Sequence, residues 1–254
     1  MIGICCGVPD STVSAWLSAL EKRHLADLTP SQAGRALRAL SSCYVERRSK
    51  LAQGAALDSA GKRAAFALFY GPLHFLVTRE IVRGIDRARY VAQILDLGCG
   101  TGAAGAAWAL ESPRSTINGL DRHPWAISEA NWTYRTLGIS GFAGQADIAR
   151  APIHGRKGHG ILAAYAVNEI PDETRALLLL RLIEARERGA HILIIEPIAK
   201  RQLPWWPLWE QVFTAAGGRA DEWRFPTELP ERQRQLGRSA GLDPKELTAR
   251  SLWL

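Results

Sequence analysis

Hydrophobic and polar positions divide the chain into a helical first part and an alternating second part. In residues 1–88, apolar residues recur every three or four positions, a spacing that predicts amphipathic helices. Four such helices are expected, and they begin near Ser11, Pro30, Ser59 and Leu73. Gly71-Pro72 is expected to end the third helix, because proline lacks a backbone N–H and clashes with the preceding helical turn.

From residue 90 onward, short apolar runs alternate with amphipathic stretches, which is typical of an α/β fold with a doubly wound parallel sheet. The predicted strands are residues 91–97, 116–120, 141–145, 160–166, 190–196, 219–225 and 248–254. The predicted helices are residues 102–111, 124–137, 172–188, 207–216 and 228–240. We therefore expect a seven-stranded, Rossmann-like domain at residues 90–254, preceded by an all-helical domain at residues 1–89.

The run Ile94-Leu95-Asp96-Leu97-Gly98-Cys99-Gly100-Thr101-Gly102 joins the first predicted strand to the helix that follows it. Glycines at alternate positions let the backbone turn sharply and approach a ligand closely, with a helix N-terminus behind it. The pattern Asp-x-Gly-x-Gly-x-Gly in this setting resembles motif I of class I S-adenosylmethionine-dependent methyltransferases. The two late strands resemble the antiparallel sixth and seventh strands of that fold. This resemblance implies a methyltransferase with S-adenosylmethionine as its cofactor.

The same glycines also satisfy the dinucleotide-binding fingerprint, in the form Gly100-x-Gly102-x-x-Gly105. Asp121 follows at about the 20-residue spacing expected for an acid that binds a ribose. A nicotinamide dinucleotide is therefore the alternative cofactor. Asp96 favours the methyl donor, because a carboxylate just before the first glycine would repel a pyrophosphate.

Ligands of open α/β sheets bind at the carboxyl ends of the strands, and this rule selects the candidate cofactor residues. They are Asp96, Gly98, Cys99, Gly100, Asp121, Arg122, Asp147, Ile148 and Ala164. Asp96 and the glycines are expected at the methionine end, Asp121 at the ribose, with Arg122 beside the adenine, and Asp147 with Ile148 at the adenine. Two structural alternatives stay open: Asp121 could cap the helix after it, and Asp147 could be a turn residue.

The end of the fourth predicted strand faces the transferred methyl group in this fold, so its residues are expected to align the acceptor atom. Tyr165 and Glu169 are the candidate bases, and Asn168 completes the candidate catalytic set. Asn168 and Glu169 could instead cap the helix at residues 172–188. No cysteine lies at this strand end, which argues against covalent catalysis at C5 of a pyrimidine.

Three tryptophans, Trp205, Trp206 and Trp209, lie just beyond the fifth predicted strand. An aromatic cluster can stack on a nucleic-acid base. Packing in the protein core is the favoured interpretation at this spacing.

The net charge of +7 is unevenly distributed along the chain. Residues 1–90 contain 13 Lys and Arg against 7 Asp and Glu, whereas the remaining residues contain 19 against 18. Basic charge concentrated in one region is how a protein is held to a phosphate backbone. RNA is therefore the expected partner, and its candidate contacts are Arg35, Arg38, Arg47 and Arg48. The alternative is an ordinary solvated helical face.

Several stretches together resemble a narrower family, the small-ribosomal-subunit methyltransferase-like proteins of bacteria and mitochondria. Besides motif I, they are residues 28–30, 35–37, 40–48, 167–171 and 194–197. The resemblance implies a ribosomal RNA methyltransferase or a ribosome-assembly factor that binds S-adenosylmethionine. Mitochondrial members hold an iron–sulfur cluster on cysteines downstream of motif I. Here no cysteine follows Cys99, so a cluster in that place is excluded.

The four cysteines form no disulfide framework or Cys-x-x-Cys motif. The adjacent pair Cys5-Cys6 could bind a soft metal, but no metal site is expected. The start of the chain lacks signal-peptide character, so the expected location is the cytoplasm, with no membrane partner. Two other functions stay open. One is a small-molecule methyltransferase whose helices cover its site, and the other is a non-catalytic assembly factor.

Overall fold

The computed structural model describes residues 11–26, 28–45, 57–199, 203–226, 229–242 and 246–254. Their contacts form two compact units. The first contains the described residues up to His74 together with those from Phe225 to Leu247. The second contains Phe75 to Arg224 and Thr248 to Leu254. Within the described ranges, no helix has the length and apolar character needed to cross a bilayer.

The first unit is helical, as the periodicity predicts. Its helices are α1 (Ser11–His24), α2 (Pro30–Val45), α3 (Ala60–Ala65), the start of α4 (Gly71–Gly84) and α9 (Glu231–Ser239). A capping box starts α2: the Thr29 N–H donates to Gln32 Oε1 at 2.8 Å, and the Gln32 N–H donates to Thr29 Oγ1 at 3.3 Å. The side chains of Leu37 and Leu40 on α2 and of Leu236 on α9 are buried.

The predicted break at Gly71-Pro72 is wrong. A π-helical turn at Phe66–Tyr70 joins α3 to α4, and the Gly71 N–H donates to the carbonyl of Phe66. The wider turn accommodates the ring of Pro72 and its missing N–H, so the chain stays helical through the proline.

The second unit is built on one seven-stranded sheet in the order β3-β2-β1-β4-β5-β7-β6, which confirms the predicted doubly wound fold. Strands β1 to β5 are parallel, and β7 is antiparallel to β5. The strands are β1 (Gln93–Leu97), β2 (Thr116–Asp121), β3 (Gly141–Gln145), β4 (His159–Ala164), β5 (His191–Glu196), β6 (Arg219–Pro226) and β7 (Glu246–Trp253). The helices beside them are α5 (Ala103–Glu111), α6 (Pro124–Thr136), α7 (Asp172–Glu187) and α8 (Trp206–Ala215). The fourth strand thus ends at Ala164, two residues earlier than the sequence indicates.

The three clustered tryptophans pack in the core of the sheet unit, as favoured above. Trp205, Trp206 and Trp209 belong to one buried cluster with residues of β4, β5 and α7. The Trp205 and Trp209 rings pack edge to face with 5.0 Å between their centroids, a geometry that aromatic pairs prefer.

The unit boundary differs from the sequence division at residues 89 and 90. Most of α4 and the turn after it belong to the sheet unit. Arg79 and Arg83 on α4 form salt bridges with Glu111 on α5 at 2.8 and 2.9 Å. Trp108 Nε1 donates to the carbonyl of Ala88 at 2.7 Å. These partly or fully buried polar contacts tie residues 79–88 to α5. A helical periodicity alone cannot show which unit a helix joins.

Candidate cofactor and acceptor site

The turn after β1 is formed by glycines in the left-handed region of backbone conformation. Gly98, Gly100 and Gly102 have φ angles of 71°, 54° and 74°, which residues with a Cβ rarely adopt. The N–H groups of Gly98 and Cys99 donate to the carbonyl of Leu120 at 2.8 and 3.0 Å. The alternating glycines therefore serve as predicted: they reverse the chain and carry it into α5.

Gly98 lies where three strand ends converge. A Cβ at this residue would lie 2.7 Å from Ala166 Cβ and 3.1 Å from Ile148 Cδ1. Glycine is therefore required here, because a Cβ would collide with Ala166 and crowd Ile148. Since Ile148 follows β3 and Ala166 follows β4, Gly98 forms a cradle with both loops at the carboxyl edge of the sheet.

Asp121 closes β2 and fixes this turn. Its Oδ2 accepts the backbone N–H of Gly100 at 2.9 Å, and its Oδ1 accepts the N–H of His123 at 2.8 Å. Each carboxylate oxygen can accept further hydrogen bonds, for which two ribose hydroxyls are suitable donors. The capping alternative does not describe Asp121, because the N-cap of α6 is His123, whose Nδ1 accepts the Trp125 N–H at 3.2 Å.

Asp96 is buried in β1, with 1% of its surface exposed. Its Oδ2 has no hydrogen-bond partner of normal geometry among the described residues. Burial, chiefly, and the charge of nearby Asp121 raise the pKa of Asp96 to about 7, against the opposing effect of the backbone N–H of Gly105. An unpartnered buried carboxylate beside the glycine turn is suited to a positively charged ligand group such as an α-ammonium.

Gly105 on α5, the third glycine of the alternative fingerprint, has a structural explanation. A Cβ there would lie 2.4 Å from both Asp96 Oδ2 and Ile117 Cδ1. The residue allows α5 to pack closely on β1 and β2, a structural role that needs no dinucleotide.

The loop after β3 contains the two residues predicted at the adenine. Asp147 is exposed, and its Oδ1 accepts the N–H of Ala149 at 2.9 Å, so it does form a turn. Its other oxygen remains available to a ligand. Ile148 is half-buried at the Gly98 cradle. Arg181 on α7 donates to the carbonyls of Ile148 and Ala149 at 3.3 and 3.1 Å and so holds the loop in place.

Arg122 is exposed after β2, and its carbonyl accepts Gln145 Nε2 at 3.2 Å. Cys99 is buried, and burial raises the pKa of its thiol, so the thiol is protonated at neutral pH. Cys99 therefore packs beneath the turn and is not a nucleophile.

The end of β4 brings Tyr165 beside the buried Glu196 of β5. Ala164 is buried, and Tyr165 has a φ angle of 58°, a strained conformation for a residue that carries a Cβ. The Tyr165 N–H donates to the carbonyl of Ile195 at 2.8 Å. Burial and the nearby charge of Glu196 raise the pKa of the Tyr165 hydroxyl, so this group is a hydrogen-bond donor at neutral pH and not a ready base. Strain of this kind is often stored at functional sites.

Asn168 and Glu169 lie in a short 3₁₀ turn at Val167–Glu169. The Asn168 N–H donates to Glu196 Oε1 at 3.1 Å, and its side-chain Oδ1 accepts Trp205 Nε1 at 3.2 Å. Neither residue caps α7, whose N-cap is Pro171. Asn168 is thus fixed by hydrogen bonds to Glu196 and Trp205. Glu169 is only partly buried and is the acidic side chain of this turn.

Arg175 is a residue of the site that the sequence analysis missed. It is 8% exposed, and it donates to the carbonyls of Val167 and Ile170 at 3.1 and 2.6 Å. Its guanidinium also pairs with Asp172 and lies 5.4 Å from the centre of the Trp205 ring. A signal was available, because an arginine occupies the first position of an apolar stripe that continues at residues 178, 179 and 182.

In the helical unit, the structure describes two of the four arginines predicted to bind RNA. Arg35 and Arg38 are exposed on α2. Arg47 and Arg48 lie outside the described residues. Across the described ranges, no group of three or more His, Cys, Asp and Glu side chains could hold a metal ion.

Comparisons with known proteins give a family model for part of the chain. Residues 78–155, which contain the glycine turn, Asp121 and the loop after β3, match the family model described as methyltransferase small domain. No curated protein sequence matches the chain.

Solved structures similar to this chain include three bacterial proteins. One is a TehB-like SAM-dependent methyltransferase from Corynebacterium glutamicum, with 17% identity, a TM-score of 0.45, and 85% of this chain and 97% of the other covered. The second is a SAM-dependent methyltransferase from Aquifex aeolicus, with 12% identity, a TM-score of 0.47, and coverage of 72% and 91%. The third is the YcgJ protein of Bacillus subtilis, with 13% identity, a TM-score of 0.45, and coverage of 70% and 96%.

The sheet order with its antiparallel β7, together with the matched family model, defines a class I, Rossmann-like methyltransferase fold. S-adenosylmethionine is the cofactor expected for it. The residues present fit that group: Asp121 offers carboxylate acceptors beside the glycine turn, and the buried Asp96 has an oxygen without a hydrogen-bond partner of normal geometry among the described residues.

Proposed function

We propose that this protein transfers a methyl group from S-adenosylmethionine to structured RNA, with small-subunit ribosomal RNA as the first substrate to test. The observation that carries the methyl-donor part is the bonding of Asp121 to the Gly100 N–H beside the Gly98 cradle. It supports the proposal because the acid and the turn that a methyl donor needs are organised before any ligand binds.

The residues of the site divide the work of binding and alignment. Asp121 would hold the ribose hydroxyls, Asp96 the charged methionine end, and Asp147 with Ile148 the adenine. When bound, S-adenosylmethionine supplies a methyl group on a sulfonium, which is already a good leaving group. The protein therefore has chiefly to place the acceptor atom in line, and the loop after β4 is in position to do so.

Tyr165 and Glu169 have different tasks in this proposal. The Tyr165 hydroxyl, which stays protonated at neutral pH, would donate a hydrogen bond that orients the acceptor. Glu169, partly exposed at the same strand end, would take a proton from a nitrogen or oxygen acceptor.

The RNA part rests on charge. The excess of basic residues lies in residues 1–90, and Arg35 and Arg38 are exposed on a helix of that region. The resemblance to the small-ribosomal-subunit methyltransferase-like proteins makes ribosomal RNA the first choice within this class.

The test is methyl transfer from radiolabelled S-adenosylmethionine to purified ribosomal RNA, with a deproteinised small-molecule extract as the competing acceptor. We expect label in RNA, a strong reduction with Glu169→Gln and Tyr165→Phe, and none with Asp121→Ala. Label only in the small-molecule fraction would replace RNA by a small acceptor. Cofactor binding without transfer to either acceptor would favour the non-catalytic assembly factor.

A further inference from the structure

The helical unit contains a cleft with three arginines. It lies between α2 and α9, has a volume of about 240 Å³, and is lined by Ser31, Arg35, Arg38, Arg232, Gln235, Leu236 and Ser239. No acidic residue is among these lining residues. Two distant parts of the chain therefore place positive charge around one small space.

Close packing of the two helices shapes this cleft. A Cβ at Gly34 on α2 would lie 2.1 Å from Ser239 Oγ on α9, so the glycine is needed for the approach. Arg38 donates to the carbonyl of Ser239 at 2.6 Å. Leu236 is buried below, and Arg35 stands exposed above.

The charge of the cleft is only partly compensated. Arg35 donates to the hydroxyl of Ser31 at 2.9 Å, and Arg38 to a carbonyl, so neither has a carboxylate partner in the described ranges. Arg232 pairs with Glu21 at 3.2 Å, and both side chains are about one-third exposed. A guanidinium has five N–H donors, so each arginine keeps donors that these contacts do not use.

We propose that this cleft binds a backbone phosphate of the RNA substrate. The inference rests on the proposed function, and it adds α9 and Arg232 to an RNA surface that the sequence placed on α2 alone. Arginine matches the oxygens of phosphate with a planar, two-pronged set of donors. The lining offers guanidinium, hydroxyl and amide groups around one leucine, with no aromatic side chain on which a base could stack. It therefore recognises a phosphate and not the base beside it, as contacts that position a nucleic acid do.

The test measures binding of a fluorescently labelled ribosomal RNA hairpin to the full-length protein at several KCl concentrations, without cofactor. Single variants Arg35→Gln, Arg38→Gln and Arg232→Gln are compared with Arg156→Gln, which removes an exposed arginine from the sheet unit. For each lost phosphate contact, the slope of log K against log salt should fall by about 0.7–0.9, and affinity at about 0.1 M salt by about five- to eightfold. Arg156→Gln should bind as the wild type does.

Inorganic phosphate identifies the ligand chemistry as a second probe. We expect it to displace the hairpin from the wild type and to have less effect on Arg38→Gln. If the cleft variants bind RNA as Arg156→Gln does, or if the wild type does not bind the hairpin, the inference is wrong. If phosphate binds the cleft but the substitutions do not change RNA affinity, the ligand is a small phosphorylated compound and the assignment of RNA to the cleft is wrong.

Methyl transfer is measured separately, so the two proposals can fail independently. If the cleft variants lose hairpin affinity but the wild type transfers no methyl group, the proposed phosphate site stands and the enzymatic function is wrong. If methyl transfer at subsaturating RNA is unchanged by all three substitutions, the proposed enzymatic function stands and the proposed phosphate site is wrong. Thermal melting of each variant confirms that it folds.

Discussion

The carboxylate of Asp121 and the backbone N–H of Gly100 form a 2.9 Å hydrogen bond that joins the ends of two neighbouring strands. The acid expected to bind ribose thus also determines the shape of the turn that would lie against the methionine. If Asp121 binds the ribose and the turn lies against the methionine, as proposed, this bond links recognition of the two ends of the cofactor.

The first prediction concerns that bond. Asp121→Ala should weaken S-adenosylmethionine binding by about ten- to hundredfold, since a hydrogen bond to a charged group contributes about 1.5–3 kcal/mol. Asp121→Asn keeps one acceptor oxygen and should lose less. Calorimetric titration measures both, and wild-type affinity in Asp121→Ala would exclude Asp121 from the cofactor site. NAD serves as the second titrant, and we expect no binding.

The second prediction uses two glycines of similar backbone conformation. Gly98 has a φ of 71° and a crowded Cβ position, whereas Gly138 has a φ of 68° and nothing within 4 Å of its Cβ position. Gly138→Ala should cost about 1–2 kcal/mol of unfolding free energy from backbone strain alone and leave cofactor binding intact. Gly98→Ala should cost more and abolish binding. Urea unfolding and calorimetry measure the two effects, and equal behaviour of the variants would mean that the cradle does not matter.

The third prediction concerns the pH dependence of stability. Burial raises the pKa of Asp96 to about 7, against about 3.9 in an unfolded chain. Between these values the folded protein binds more protons than the unfolded chain, so stability falls as the pH rises. The contribution of Asp96 is complete below the unfolded value and is lost above about pH 7.

Asp96→Asn removes this titration. From about pH 5 to about pH 8, the unfolding free energy of the variant should rise relative to the wild type by on the order of 2–3 kcal/mol. Urea unfolding of both proteins across this range gives the difference. A constant difference would show that Asp96 titrates at its ordinary value.

The fourth prediction compares Arg175 of α7 with Arg188, the residue directly after this helix. Arg175→Ala should cost about 1–3 kcal/mol, because the carbonyls of Val167 and Ile170 lose a donor. It should lower the rate of methyl transfer more than cofactor affinity, since the loop it holds lies on the acceptor side. Arg188→Ala breaks an exposed ion pair with Glu184 and should cost less than about 0.5 kcal/mol. An Arg175→Ala variant with wild-type turnover would assign the residue to stability only.

Much of the fold could be predicted because local pattern and tertiary structure agree along most of the sheet unit. The strand before Gly98 is buried on both faces, and the glycines mark the turn directly. The break at Pro72 could not be predicted correctly, because a π turn depends on how the helix packs and not on the local sequence. The observed unit boundary also depends on long-range contacts, because partly buried salt bridges from Arg79 and Arg83 to Glu111 join α4 to α5.

The sequence indicates the candidate site where a backbone conformation favours one residue type, as the positive φ of Gly98 favours glycine. The site was less predictable where a side chain forms hydrogen bonds with backbone groups of another element. In the sequence, the place of Arg175 in the apolar stripe of α7 indicates burial, but only the fold shows that its guanidinium meets two carbonyls of the preceding loop. The same holds for Asn168, whose amide oxygen is already bonded to Trp205.

Helix α7 holds both sides of the candidate site. Arg175 near its start bonds the loop after β4, and Arg181 two turns later bonds the loop after β3. A small rotation of this one helix would therefore change the adenine side and the acceptor side at the same time. Substitutions on the outer surface of α7, far from any ligand, should therefore change substrate choice and cofactor affinity together.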